Sequence, residues 1–300
     1  MTPTAIAPVA EISPAPAATR EPPPGNGFAT PADKLPRHIS PTSAKNYLGC
    51  SLRFWFEKIA RIPKPATPAL HLGKAVHAAL QAFHLARWRG GDDSPGAVVA
   101  AFEQAFLALE RDEGPVNFGD ETGREKHRLD GLRLVAAYLD SPEALAGKPR
   151  AVEVLLSEAI PGLSVPLTGA MDLVTGDFRP VDFKSAAARP DPANAAFDHE
   201  LQLVAYQLLL EAAAGVTPPS LDLLFLVKTK VPQVIRVSSP PAEDRRKQRV
   251  VALLETAVAG IAAGRYHPQP GMHCAWCRFK NECLGWCPAM TAPGEERRAA

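Results

Sequence analysis

The sequence lacks any excess of charge. Its 300 residues hold 33 Lys and Arg against 32 Asp and Glu, a net charge of +1. No general field draws a polyanion to such a chain, so any nucleic-acid contact has to be made in a local groove. Long apolar runs are also missing, and no transmembrane helix is expected. Met1 to Ala10 carry no Lys or Arg, which speaks against a secretory signal. No G-x-x-x-x-G-K-[ST] phosphate loop occurs, so a motor, where one is needed, is a partner chain. Cysteine is sparse, with five residues. The odd number, and the crowding of four of them near the C-terminus, argue against a secreted disulfide framework. They fit a reducing cytoplasm in which thiolates act as metal or cluster ligands.

What is present reads as one globular domain. Hydrophobic content of 46% and charged content of 22% are ordinary for a soluble fold. Residues 1–36 are rich in Pro and Ala, including Pro22, Pro23 and Pro24, and are expected to form a disordered tail. The ordered domain is expected over 37–288, with a cysteine-bearing segment at 270–288 and a second tail at 289–300.

The most informative stretch runs from Leu167 to Ser185. Two apolar runs meet at Thr175-Gly176-Asp177 and read as a hairpin. Asp172, Asp182 and Lys184 lie inside the strands, where Val or Ile is the usual choice. Period-two geometry puts Asp182 and Lys184 on one face, with Asp172 close by on the partner strand. Two carboxylates on neighbouring strands can hold a divalent cation, and an adjacent lysine can orient a water. The arrangement suits metal-assisted phosphodiester hydrolysis.

Around this hairpin the patterning predicts further elements. A first helix runs from Ser40, a candidate N-cap followed by Pro41, to about Ile59, with Cys50 inside it. Further helices are expected at about 68–89, 95–112 and 122–139, then a strand from Ala151 to Ala159. Glu153 in that strand reads either as a strand-face charge or as a residue at the periphery of the site. A loop from Ser185 to Phe197 leads to a helix capped by Asp198 and ending near Ala214. Strands at Leu221–Val227 and Gln233–Val237 precede a helix at about 242–263. The first turns of that helix carry Arg245, Arg246, Lys247 and Arg249, a candidate track for a phosphate backbone. Near the C-terminus, Cys274, Cys277 and Cys283 have C-x2-C-x5-C spacing, a strong ligand signal.

Thr168-Gly169-Ala170-Met171-Asp172 followed by Val181-Asp182-Phe183-Lys184 resembles the PD-(D/E)xK nuclease superfamily, most closely its RecB-type branch. Four other motifs in the order of that branch extend the resemblance from Ile39 to Cys283. These are Ser40-Pro41-Thr42-Ser43 with Tyr47 to Lys58, Gly73-Lys74 with His77 and Leu80, Gln202 with Tyr206, and the C-terminal cysteines. The resemblance implies an α/β fold with a mixed sheet flanked by helices and a helical insertion before the sheet. It implies catalysis by Asp172, Asp182 and Lys184. Mg²⁺ or Mn²⁺ would be held by His77, Asp172, Asp182 and the Phe183 carbonyl, with Gln202 and Tyr206 contacting the substrate strand.

The branch members called iron-staple nucleases, among them the AddB subunit and the CRISPR-associated spacer-acquisition nuclease, carry a [4Fe–4S] cluster. In this chain the ligands implied are Cys50, Cys274, Cys277 and Cys283. Zinc on the same thiols, or Cys287 in place of Cys50, remains an alternative. The implied activity is that of a metal-dependent deoxyribonuclease. It would act as an exonuclease on single-stranded or end-containing DNA in repair, recombination or CRISPR-type processing, with a helicase or repair protein as a candidate partner. The rival reading is a non-catalytic scaffold subunit of a helicase–nuclease complex. It leaves the charges inside the hairpin without a purpose.

Overall fold

The computed structural model describes residues 30–114 and 116–286. Cys287 and most of both expected tails lie outside the described residues. Before the sheet come α1 (Pro41–Gly49), α2 (Ser51–Phe54), α3 (Pro68–Arg89), α4 (Pro95–Glu113) and α5 (Glu121–Leu139). The strands are β1 (Ala151–Glu158), β2 (Leu167–Val174), β3 (Pro180–Ala186), β4 (Leu221–Val227) and β5 (Gln233–Ser239). Between β3 and β4 lie α6 (Pro192–Asp198) and α7 (Glu200–Ala214), and after β5 come α8 (Asp244–Ala262) and α9 (Lys280–Leu284).

The strands form one sheet in the order β1-β2-β3-β4-β5. β3 and β4 run parallel, and the other neighbours are antiparallel. A parallel pair needs a crossover, which α6 and α7 supply. β4 is buried along its whole length, as a central strand should be. Leu224 and Leu226 pack with the helical layer of α3, α4 and α5, while Leu223 and Phe225 face Ala195 and Leu203 of the crossover. The mixed sheet flanked by helices is the fold that the resemblance implies.

The first helix differs from expectation. It does not run unbroken to Ile59, because Cys50 is extended (φ −166°, ψ 104°) and separates α1 from α2, which passes into a π-helical turn at Trp55–Ile59. The backbone groups freed at the break are taken by the C-terminal segment. Ser51 N–H donates to Gln269 Oε1 at 2.9 Å, and Leu52 N–H donates to the His267 carbonyl at 3.1 Å. The crossover also differs. Asp191, with Pro192 behind it, caps a short helix inside the expected loop, its side chain accepting from Asn194 N–H. Asp198 is therefore the last residue of α6, not the cap of α7. At the other end, ordered structure begins before residue 37. Thr30 Oγ1 lies 2.8 Å from Tyr266 Oη, and a 3-10 turn covers Ala32–Lys34.

Candidate active site

The site lies where the hairpin opens. β2 and β3 pair only at Leu173↔Val181 and Val174↔Pro180. Beyond that point the Phe183 N–H is taken by the Asp172 carboxylate, with 2.7 Å to Oδ2. Asp172 thus holds the diverging strands and faces His77, whose Nδ1 stands 3.5 Å from the same oxygen. His77 comes from the middle of α3, a long helix that starts at Thr67, whose side chain caps Leu70 N–H, and stops at left-handed Gly90. One turn before His77, a Cβ on Gly73 would stand 3.1 Å from Ser185 Oγ, so the helix lies tight against the end of β3. Burial opposes protonation of His77, but the hydrogen bond and charge of Asp172 outweigh it and raise its pKa.

Asp182 is 4% exposed. Its Oδ2 takes the Lys184 ammonium at 2.6 Å but has no aligned hydrogen bond. Its Oδ1 accepts from Gln202 Nε2 at 2.7 Å and lies 3.3 Å from Tyr206 Oη. Burial raises the pKa of this carboxyl, and the like charge of Asp172 adds to that; Lys184 opposes both. Gln202 Oε1 in turn accepts from Lys184 Nζ at 3.1 Å. One amide therefore spaces the carboxylate and the ammonium. Tyr206 accepts from Gln202 Nε2 at 2.8 Å and donates to the Ala170 carbonyl at 2.7 Å, which anchors α7 to β2. That approach needs Gly169, where a Cβ would come within 2.7 Å of Leu209 Cδ1 and 3.3 Å of the Tyr206 ring. Asp172, Asp182, Lys184, His77, Gln202 and Tyr206, read separately from the sequence, are brought together here.

Of the two readings open for Glu153, the structure puts it beside the site. It stands between the Val152↔Leu173 and Val154↔Met171 pairs, opposite Asp172, and adopts a left-handed backbone (φ 49°). Partial burial and the charge of Asp172 raise its pKa, and it also senses His77 and Asp182. At the N-terminal end of α7, which carries Gln202, stand His199 and the Lys45 ammonium of α1, the latter donating to the Asp198 carbonyl at 2.7 Å. The period of the hairpin carries no trace of them. The expected phosphate track on α8 is corrected for three of its four cations. Arg246 and Arg249 grip the Glu200 carboxylate and Lys247 grips Glu211, so they tie α8 to α7.

Two carboxylates and an imidazole suit a hard divalent cation, and the buried Asp182 oxygen without an aligned hydrogen bond is the atom such an ion would satisfy. Among the described residues no three His, Cys, Asp or Glu side chains already stand at coordinating positions. His77, Asp172 and Asp182 are adjacent rather than coordinated. The thiols give a similar picture. Cys50, Cys274, Cys277 and Cys283 are free, and all four line one cavity of about 220 Å³. Burial raises the Cys283 pKa, and Cys50, Cys277 and Cys274 add to it.

A mixed sheet whose opened hairpin presents two aspartates and a lysine defines a class, the restriction-endonuclease-like nuclease core. The sequence model of the PD-(D/E)XK nuclease superfamily matches residues 38–284, and the chain belongs to that superfamily. A candidate exonuclease from Eubacterium rectale shares the fold, with a TM-score of 0.55 and 13% identity over 81% of this chain and 87% of that one. The protein SSO0001 aligns over 81% of this chain and 95% of its own, at 13% identity and a TM-score of 0.33. No curated protein matches the sequence.

Proposed function

We propose that the chain is a metal-dependent deoxyribonuclease of the RecB-type branch, acting as an exonuclease on single-stranded or end-containing DNA. The observation that carries this reading is the buried Asp182, bound to Lys184 and held by Gln202 beside Asp172 and His77. A carboxylate desolvated to this degree is costly to maintain, and structural need alone gives no reason for it. The candidate exonuclease that shares the fold supports the exonuclease assignment.

Asp172, Asp182, His77 and the Phe183 carbonyl are the groups that would hold Mg²⁺ or Mn²⁺. When bound, the cation would stabilise charge on the phosphate and make a water more acidic. Lys184 neutralises the developing charge on the scissile phosphate and orients the attacking water. Gln202 fixes the spacing of Lys184 and Asp182, and Tyr206 fixes Gln202. A cleft of about 430 Å³, lined by His77, Gly73, Lys74, Lys184 and Ser185, leads to this point from the α3 side. End-labelled single- and double-stranded DNA, incubated with and without Mn²⁺, tests the reading. Cleavage should require metal, and Lys184→Ala should lower kcat by about 10²-fold or more with the melting temperature kept. Undiminished cleavage by Lys184→Ala would overturn the mechanism.

The four thiols are assigned to a [4Fe–4S] cluster with a stapling role. Support comes from their shared cavity and from the hydrogen bonds that tie the C-terminal segment to the break at Cys50. Anaerobically purified protein should be brown and contain iron and sulfide. Stoichiometric zinc without iron would replace that assignment by a four-cysteine zinc site.

A further inference from the structure

We propose that Lys45 and Phe197 form a separate strand-holding subsite on the α6–α7 side of the scissile position, with Lys45 gripping a phosphate and the exposed Phe197 ring taking an unstacked base. The subsite rests on the nuclease reading above and specifies its substrate as an unpaired strand.

Lys45 projects from α1, and its ammonium donates to the Asp198 carbonyl at 2.7 Å. Among the described residues it has no carboxylate in ion-pair contact, unlike Arg124, Arg128, Arg246 and Lys247, which all face Glu side chains. A carbonyl fixes the position of an ammonium and leaves its charge to act outward. Asp198 directly precedes His199 and α7, and α7 carries Gln202, which binds Lys184 and Asp182, so Lys45 is fixed at the end of the helix that reaches the reacting groups. Between Asp198 and α7 in sequence stands His199, whose ring meets the Phe225 ring edge-on at 6.2 Å between centroids; burial, with the charges of Lys184 and Lys45, depresses its pKa to about 4.

Phe197 precedes Asp198 and is 71% exposed. An exposed ring next to the residue that holds a phosphate-gripping lysine is the combination that single-strand binders use, because every base has a face to stack. A duplex keeps its bases inside and cannot use such a ring. The strand would cross from the α3-side cleft, over Asp182 and Lys184, to this subsite.

Fluorescence anisotropy with labelled oligo-dT and with a blunt duplex, both in EDTA so that binding is read without cleavage, tests the proposal. Lys45→Ala should weaken oligo-dT binding about tenfold and, in Mn²⁺, raise KM with kcat within about twofold. Lys45→Gln can still donate to the Asp198 carbonyl. If it binds as weakly as Lys45→Ala, the effect belongs to charge; wild-type affinity for Lys45→Gln would overturn the phosphate role. Phe197→Ala should lower oligo-dT affinity about fivefold to tenfold and leave the blunt duplex unchanged. Equal loss on both substrates, or none on either, would overturn the stacking role. A wild-type protein that binds and cuts while these variants match it removes the subsite alone. A wild-type protein that does neither removes the nuclease reading as well.

Discussion

Glu153 shows how a single residue can hold strain beside a site. Its left-handed backbone (φ 49°) is uncommon for a residue with a Cβ, and it lies directly opposite Asp172 in the β1–β2 register. Holding that conformation costs on the order of 1–3 kcal/mol, whereas a strand glycine costs about 0.5–1 kcal/mol. Relief of strain is the larger effect. Glu153→Gly should therefore gain about 1 kcal/mol in urea unfolding while DNA cleavage falls; a variant that loses stability would show that the backbone there is unstrained. His84 presents the opposite case, a buried group with a large shift and no place in the site. It is 3% exposed, its Nε2 lies 2.5 Å from Tyr138 Oη, and burial, with help from Arg87, depresses its pKa to about 4. A histidine depressed in the folded state stabilises above its unfolded pKa and loses that contribution as pH falls. Stability should decline between pH 6.5 and about 4, by on the order of 3 kcal/mol from this residue. His84→Leu should show a smaller difference in unfolding free energy between pH 7 and pH 5 than the parent protein; an equal difference would assign the pH dependence elsewhere.

Among the elements, the placing of α7 against β2 decides whether the site forms. The contact depends on Gly169, which leaves room for Leu209 and the Tyr206 ring. Gly169→Val would have to push the helix outward, at a cost of about 1–3 kcal/mol, and would draw the Tyr206 hydroxyl away from the Ala170 carbonyl. Both the melting temperature and the cleavage rate should drop, because Gln202 loses the support that holds it against Asp182. A variant with lower melting temperature but normal cleavage would show that Gln202 needs no such support. This dependence also explains which parts of the molecule can be read from its sequence. A helix with a strong period, such as α3, and a continuous apolar run, such as β4, are legible, and so are Asp182 and Lys184, because period two alone puts them on one face. The break at Cys50 is not legible, since its cause is a set of hydrogen bonds from Gln269 and His267, more than two hundred residues away. The ion pairs of Arg246 and Arg249 with Glu200 are hidden for the same reason. A run of cations on one helix looks like an open track until the carboxylate on the facing helix is known.

Across the whole molecule, charge is balanced twice, once in composition and again in space. The 33 basic residues meet 32 acidic ones, and much of the basic surface is engaged internally. Arg124 pairs with Glu110, Arg128 with Glu125, Lys64 with Glu282 and Lys247 with Glu211. A chain arranged in this way has little long-range attraction for DNA, so its affinity has to come from the few cations beside the site, chiefly Lys184 and Lys45. Single-stranded DNA releases counterions in proportion to the phosphates contacted, with a slope of log K against log salt of about −0.7 per phosphate. Two or three contacts correspond to a slope between about −1.4 and −2.1. A titration of oligo-dT binding from low to physiological salt should fall in that range, and Lys45→Ala should reduce the slope by about 0.7. A slope steeper than about −4 would mean that six or more phosphates are held. Nearly neutral composition would then conceal a continuous basic path.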